Sequence, residues 1–193
     1  MQPEQMLEFL TRVGNLKVIP RHCYTAPDRR ESVADHSWRL VLMAYLCAEE
    51  YPDIDLGKLL TFAAIHDLGE SVTGDIPAFV KTEAQEATED RAIDQLVNTL
   101  PEPARSRMHA LFDEYEAQSS LEAKLCLALD KLEAVIQHNE SDISTWLPLE
   151  YDLQLTYGAE EAAFSPYTEE LRAVLNAATR KKIADAKSEK TEE

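Results

Sequence analysis

The sequence LGKLLTFAAIHDLGE at residues 56–70 carries the strongest structural signal in the chain. Its apolar side chains point in nearly every direction round a helix, which predicts a helix buried at the centre of the protein. Asp55 is of the type that caps a helix start. The helix ends on an imidazole and a carboxylate, His66 and Asp67. Burying an ionised carboxylate alone is costly. Asp67 is therefore expected to be paired or metal-bound, or else to emerge into solvent.

Helical periodicity continues on both sides of this segment and predicts an all-α fold. Upstream, residues 4–14 form an amphipathic helix, and Ser32 caps a helix over residues 33–50. Residues 15–30 contain two prolines and are expected to be a structured loop. Further helices are predicted to begin at Thr82, at Pro103, at Ser119 to Leu121 and at Pro166, the last of these ending at Ile183.

Length and composition indicate a single globular domain over residues 1–183 with a polar, disordered tail at 184–193. The chain of 193 residues has 36 acidic and 19 basic side chains, a formal net charge of −17. Such a protein repels nucleic-acid backbones and anionic membrane surfaces, so neither is expected as a partner. The three cysteines form no C-x-x-C pair, which is typical of free thiols. With no apolar leader segment, a cytoplasmic location is expected.

Two more polar side chains fall on apolar helix faces. His36 shares a face with Leu40 and is expected to point inward, either as a hydrogen-bonded core residue or as a metal ligand. Asp130 shares a stripe with Cys126, and is either a carboxylate at the edge of the core or a cation ligand. Lys131 lies about 100° away round the helix, so it is expected to be a poor partner for Asp130.

Two imidazoles and two carboxylates from three helices make a mixed nitrogen and oxygen donor set: His36, His66, Asp67 and Asp130. Such a set suits a borderline divalent metal, namely Mn, Fe, Co, Ni or Zn, with Mg as a further candidate. Four protein ligands leave positions open on a five- or six-coordinate ion for water and a substrate oxygen. The spacing matches no local metal-binding motif. Glu133, one turn from Asp130, is either a neighbour of this site or structural.

Several stretches resemble the HD-domain metal-dependent phosphohydrolases, and most closely their 5′-deoxynucleotidase branch, the YfbR-like and HD-domain-containing protein 2 group. The resemblance covers about residues 5–140. It rests on ESVADHS at 31–37, HDLGE at 66–70, TGDIP at 73–77 and LDKLE at 129–133, with RVGNLK at 12–17, Pro20-Arg21 and EYEAQS at 114–119.

The resemblance implies an HD-domain helical bundle that holds a divalent metal on the same four residues. It implies that Glu70 and Asp75 are the catalytic groups, and that both, with the backbone of Ile76, form a second metal position. Arg21 matches the arginine expected to hold the substrate phosphate. Members of this branch are homodimers that remove phosphate from deoxynucleoside 5′-monophosphates, so both properties are expected of this chain.

Other interpretations stay open from the sequence. Asp75 is alternatively the N-cap of a short helix beginning at Ile76-Pro77. The protein is alternatively an HD phosphohydrolase of another small phosphoester, or a non-catalytic, metal-stabilised dimer that binds nucleotides. A di-iron oxygenase of the same superfamily needs additional histidine ligands that the remaining histidines do not match.

Overall fold

Helices dominate the structure, which confirms the all-α class. The structure, a computed structural model, describes the backbone of residues 1–192 and the side chains of residues 1–188. The helices are α1 (Pro3–Val13), α2 (Val33–Cys47), α3 (Leu56–Ile65), α4 (Glu70–Thr73), α5 (Glu83–Val97), α6 (Ala104–Glu116), α7 (Leu121–Glu140), α8 (Glu150–Thr156), α9 (Ala159–Ala162) and α10 (Pro166–Glu192). A hairpin of β1 (Pro20–Ala26) and β2 (Arg29–Ser32) precedes α2.

The core lies where α2, α3 and α7 pack against one another. Leu59, Phe62 and Ala63 of α3 are fully buried, which confirms that this helix is central. Leu40 of α2 and Leu129 of α7 meet them in one apolar cluster. A second apolar cluster, at the C-terminal end of α3, packs α5 and α6 against the bundle. Burial of this apolar surface stabilises the bundle and holds the ends of α2, α3 and α7 in fixed relation.

Side-chain caps fix where the central helices begin. The Ser32 hydroxyl accepts from the Asp35 backbone N–H at 3.1 Å, and Asp55 accepts from the Lys58 N–H at 3.0 Å, as the sequence predicts. The cap of α7 is Ser120, within the predicted start at Ser119 to Leu121, and its hydroxyl accepts from the Ala123 N–H. Each cap satisfies a donor that the first turn of a helix leaves unpaired.

The expectation of a loop over residues 15–30 is wrong for much of that segment, because β1 and β2 pair antiparallel. Asp28 adopts a φ of 62° at the tight turn, a conformation that aspartate tolerates better than most residues. The Gln137 side chain donates to the Tyr24 carbonyl at 2.6 Å, and the Ser141 hydroxyl donates to the same carbonyl at 2.8 Å. The hairpin is thereby fixed to α7, and β1 lies over the end of the bundle.

The C-terminal helix packs along α7 and is longer than the sequence predicts. The prediction ends it at Ile183, whereas α10 continues to Glu192. Glu193 lies outside the described residues, and so do the side chains of residues 189–192. The single domain over residues 1–183 and the disordered tail at 184–193 stay predictions. Within residues 1–192, no helix combines the length and the apolar character needed to cross a bilayer.

Candidate metal centre and pocket

The four predicted metal ligands come together at one end of the bundle. His36 projects from α2, Asp130 projects from α7, and His66 and Asp67 follow directly after α3. The Nε2 atom of His36 lies 3.0 Å from Asp130 Oδ1 and 3.8 Å from Asp67 Oδ2. The Nε2 atom of His66 lies 3.1 Å from Asp67 Oδ2 and 3.8 Å from Asp130 Oδ1. The core packing of three helices therefore brings the side chains of distant segments to one point.

The donor atoms of this quartet are short of partners. His36 Nε2, His66 Nε2 and Asp67 Oδ2 are buried and have no hydrogen-bond partner within the described part of the chain. A buried polar atom left without a partner costs roughly 1–3 kcal/mol, and a charged one costs more. Two imidazole nitrogens and a carboxylate oxygen in one compact group are donors that a divalent transition metal binds well. The residues present thus fit a divalent cation.

The electrostatics of the quartet also favour a cation. Burial and Arg21 lower the pKa of His36, but the carboxylates of Asp130 and Glu133 outweigh them and raise it to about 10. Burial raises the pKa of Asp67, but His66 and His36 more than offset it, so the pKa lies well below its usual range. The acids at this point stay ionised, and their field stabilises positive charge.

Glu133 orients His36 within the quartet. Its buried carboxylate contacts Nδ1 of His36, which leaves Nε2 directed at Asp67 and Asp130. Arg39 holds the other oxygen of Glu133 at 2.5 Å. A carboxylate that accepts the Nδ1 proton of a ligating histidine fixes the ring orientation and makes Nε2 a better donor. Glu133 is therefore a positioning residue, the first of the two roles that the sequence left open.

We expect Glu133→Gln to weaken divalent-metal affinity roughly 10- to 100-fold, the usual effect of losing such a partner. Metal binding by the purified protein, followed by calorimetric titration after chelation, measures the change. Glu140→Gln is a matched control, because Glu140 also accepts from Arg39, at 2.5 Å, but is exposed and remote from His36. Equal metal affinity in the Glu133→Gln protein and the wild type would contradict the positioning role.

A pocket of about 280 Å³ opens beside the quartet. Asp67 and Asp130 line it, and Arg21 enters from β1. Arg21 Nε donates to Glu31 at 3.1 Å, and Arg21 Nη1 lies 3.6 Å from Asp67 Oδ2. Burial lowers the pKa of Arg21, but Asp67, Asp75 and Glu31 raise it by more, so the guanidinium is fixed in its charged form. The pocket therefore offers a fork of donors next to the quartet, which suits a phosphate.

Glu70 and Asp75 lie on the same pocket, with Ile76 beside them. Glu70 opens α4 one turn after His66 and is buried, and its Oε2 atom has no hydrogen-bond partner among the described residues. Burial, with Asp67 and Asp75 nearby, raises the pKa of Glu70 to about 9. Burial likewise raises the pKa of Asp75. Such shifts are typical of groups that take part in proton transfer.

The alternative helix-capping role of Asp75 is wrong. Gly74 adopts a φ of 79° after α4, and residues 74–77 are neither helix nor strand. The chain then turns at Pro77, whose carbonyl accepts from the Val80 and Lys81 N–H groups. Asp75 therefore begins no helix, and its half-buried carboxylate faces the pocket.

Lys131 contradicts the expectation that it is a poor partner for Asp130. Its Nζ atom lies 3.0 Å from Asp130 Oδ2, because the long side chain folds back across the helix surface. The same Nζ lies 5.8 Å from the ring centroid of Tyr157. Gly158 has a φ of 72°, and a Cβ atom there would lie 2.7 Å from Lys131 Cβ. Glycine at that position therefore leaves room for Lys131 in the pocket wall.

Sequence reasoning missed a second titratable cluster in the pocket wall. His22, His138 and Glu150 come from β1, α7 and α8, and their donor atoms lie within 4.8 Å of one another. The His138 ring is buried beside Glu150. No local spacing reveals the cluster, because its members meet only when the hairpin and α8 fold against the end of α7.

Comparisons with known proteins agree with this architecture. An HD domain family model matches residues 13–172. The Bos taurus protein named 5′-deoxynucleotidase HDDC2 is 36% identical over 189 residues, which cover 95% of this chain and 90% of that protein. The Homo sapiens protein of the same name is 37% identical over 139 residues, covering 70% and 67% respectively.

A solved structure shares the fold. It is described as that of a predicted metal-dependent phosphohydrolase from Magnetospirillum magnetotacticum MS-1. It matches with a TM-score of 0.76 and 27% identity, and the alignment covers 94% of this chain and 95% of that one. The family model spans most of the sequence, and the whole helical arrangement around the quartet is shared with a solved relative. The chain therefore belongs to the HD-domain family.

Proposed function

We propose that the protein is a divalent-metal-dependent 5′-deoxynucleotidase, which hydrolyses deoxynucleoside 5′-monophosphates to deoxynucleosides and phosphate. The observation that carries this proposal is the set of unpaired buried donors in the quartet, beside Arg21 in an open pocket. The names of the bovine and human relatives support the same activity. Phosphate-monoester hydrolysis is very slow without a catalyst, so the site must supply concentrated positive charge.

We assign the metal to His36, His66, Asp67 and Asp130, and we keep a second position at Glu70, Asp75 and the Ile76 backbone. A divalent ion supplies Lewis-acid charge to a phosphoryl oxygen and acidifies water. The donor set accepts Mn, Co, Zn, Fe or Ni, and Mg is a further candidate, because a mixed nitrogen and oxygen set leaves the choice largely to metal availability.

The other residues bind the substrate and move protons. Arg21 holds the non-bridging phosphate oxygens with its guanidinium fork. Glu70 orients the attacking water from the side of α4. Asp75, whose pKa is raised by burial, donates a proton to the leaving 5′ oxygen. Ordinary acid catalysis needs a protonated group near neutral pH, and Asp75 meets that need better than an exposed aspartate would.

We expect Arg21→Ala to raise KM for the nucleotide roughly 10- to 100-fold, the value of charge-assisted hydrogen bonds to the phosphate. Metal content should stay at the wild-type level. Steady-state kinetics with metal analysis measure both quantities. Arg21→Lys should recover only part of the loss, because a lysine offers a point charge without the fork. Unchanged KM in the alanine variant would remove Arg21 from the phosphate site.

The substrate class is tested by phosphate release from dAMP, dGMP, dCMP and dTMP, with AMP as the ribose control. The enzyme is stripped with chelator and loaded separately with Mn, Co, Zn or Mg. Release that favours the deoxy substrates supports the proposal. Release from other small phosphomonoesters alone would favour the alternative phosphohydrolase. Nucleotide binding without release under any metal would favour the non-catalytic alternative.

We also propose that the protein is a homodimer joined through an apolar stripe on α2. The stripe is formed by Trp38, Leu42, Tyr45 and Leu46, which are 44–68% exposed and share one helix face. Trp38, the most exposed of the four, does not pack inside the chain. Exposed apolar patches of this kind are typical of interaction sites. A second copy of the chain is a suitable partner. The chain is strongly acidic, but the four stripe residues are uncharged, so two copies can meet there without bringing like charges into contact.

We expect the wild-type protein to be a dimer by light scattering and Leu42→Glu to be a monomer, because two glutamates would be buried against apolar surface. Val174→Glu is the control, since Val174 is 60% exposed on α10, more than Leu42, and lies outside the stripe. A monomeric wild type would remove the dimer, and a dimeric Leu42→Glu protein would remove the stripe as its interface. The cytoplasmic location stays a prediction.

A further inference from the structure

We propose that His22, His138 and Glu150 form a further transition-metal site, separate from the quartet and in the wall of the same pocket. The chemistry of the three side chains, two imidazoles and one carboxylate, suits Zn²⁺ and similar borderline ions. This site goes beyond the proposed function, because none of its residues is needed for phosphate hydrolysis as argued above.

The distances within the cluster already approach those of a metal site. His22 Nε2 lies 3.0 Å from Glu150 Oε1, and His138 Nε2 lies 2.8 Å from the same oxygen. Zinc binds nitrogen and oxygen at roughly 2.0–2.2 Å, so donors around one tetrahedral ion lie roughly 3.3 Å apart. A small outward movement of the two rings would give this spacing. The shortest separations in the quartet, 3.0 and 3.1 Å, are similar.

The buried carboxylate of Glu150 also needs a positively charged partner. The side chain is fully buried, and its partners in the described structure are the two imidazoles and the backbone N–H of Leu147. No lysine or arginine of the described residues forms an ion pair with it, whereas the equally buried Glu133 has Arg39. An ionised carboxylate in this position needs either a proton on one imidazole or a bound metal. A metal titration distinguishes these two states, because binding at the cluster is expected in the second and no binding in the first.

The surroundings of His138 favour metal binding through Nε2. Cys23 Sγ lies 2.8 Å from His138 Nδ1, so the sulfur is placed to accept a hydrogen bond from the Nδ1–H when Nε2 binds an ion. The sulfur faces Nδ1 and lies 3.9 Å from Nε2, so Cys23 is a partner of His138 and not a fourth member of the cluster. His22 is half-buried and faces the pocket, which gives an ion a path from solvent.

A natural fluorophore lies beside the proposed site. The buried Trp146 ring is 5.7 Å from the His138 ring, and its indole N–H donates to the His138 carbonyl at 3.1 Å. The chain has two tryptophans, and the other, Trp38, lies on the α2 stripe. In the Trp38→Phe protein, Trp146 is therefore the one tryptophan that remains. An open-shell ion such as Co²⁺ at the cluster should quench its fluorescence.

The test is a Co²⁺ titration of the chelator-stripped, full-length Trp38→Phe protein, with metal content measured in parallel. We expect quenching of Trp146 and at least two equivalents of bound metal, one at the quartet and one at the cluster, apart from any ion at the position of Glu70 and Asp75. Adding Asp67→Ala should remove one equivalent and keep the quenching. Adding His138→Gln should remove one equivalent and abolish the quenching. His22→Gln should have the same effect, and because the His22 ring is less buried, this variant keeps the test usable if His138→Gln fails to fold. His109→Gln is the control, since His109 bonds Asn98 on a different face.

Quenching that survives both cluster variants would overturn the proposal. A metal content that His138→Gln leaves unchanged, without quenching in the parent protein, would also overturn it, and a proton would then balance Glu150. The quartet is tested independently, since a metal content that Asp67→Ala leaves unchanged would contradict the proposed catalytic centre and leave the cluster site standing.

Discussion

Asp67→Ala is expected to abolish both divalent-metal binding at the quartet and phosphate release, while the protein stays helical. The Asp67 carboxylate lies 3.1 Å from His66 Nε2 and 3.8 Å from His36 Nε2, and its Oδ2 atom has no hydrogen-bond partner in the described structure. Without it, two imidazoles and one carboxylate remain, with one negative charge fewer to hold a doubly charged ion. Metal analysis, phosphate release and far-ultraviolet circular dichroism measure the three effects.

Two further variants show whether the effect of Asp67→Ala comes from the lost charge, from the lost side-chain volume, or from removing any carboxylate of this acidic protein. Asp67→Asn keeps the size of the side chain, so it should lose activity like the alanine variant if charge is what matters. Asp53→Ala removes an exposed carboxylate from the loop before α3 and should leave metal binding and activity at the wild-type level. Full activity in Asp67→Asn would show that Asp67 does not hold a catalytic ion.

Glu70→Gln is expected to lower kcat by roughly 10²- to 10⁴-fold, the range found for positioned proton-transfer groups. The glutamine keeps the size of the side chain but replaces the carboxyl group that orients the attacking water with an amide. Quartet metal content should stay unchanged, because Glu70 lies one turn beyond His66 and is not part of the quartet. Single-turnover measurements under saturating nucleotide separate this loss from a change in substrate binding.

Glu83→Gln, an exposed change in the first turn of α5, is the control for Glu70. A Glu70→Gln protein with wild-type kcat would remove Glu70 from the reaction. A protein that loses quartet metal together with kcat would instead make Glu70 a residue that shapes the metal centre.

The helices could be predicted because their signals are local. Ser32 and Asp55 cap helices in the structure as their sequence positions suggest, and the apolar run before His66 gives a buried helix. The hairpin over residues 20–32 could not be predicted, because its short strands are stabilised by pairing and by bonds from α7 rather than by clear alternation. Non-local contacts of this kind leave no periodic trace in the sequence.

In the candidate site, too, residues with a local sequence signal could be predicted, and residues that meet only through folding could not. His36 and Asp130 were identifiable because a polar group on an apolar helix face is costly unless it has a partner. Lys131 was misjudged because the helical angle between neighbouring residues ignores the reach of a long side chain, which bends back to Asp130. The cluster around Glu150 was missed because three separate segments must fold before its members meet.

The most direct test of the central claim is the metal dependence of phosphate release from dAMP by the chelator-stripped wild-type protein. We predict that the stripped protein is inactive, that adding back Co²⁺ or Mn²⁺ restores release, and that the same addition fails to restore the Asp67→Ala protein. Full release by the stripped protein, or restoration of the Asp67→Ala protein to the wild-type rate, would contradict a catalytic metal at His36, His66, Asp67 and Asp130.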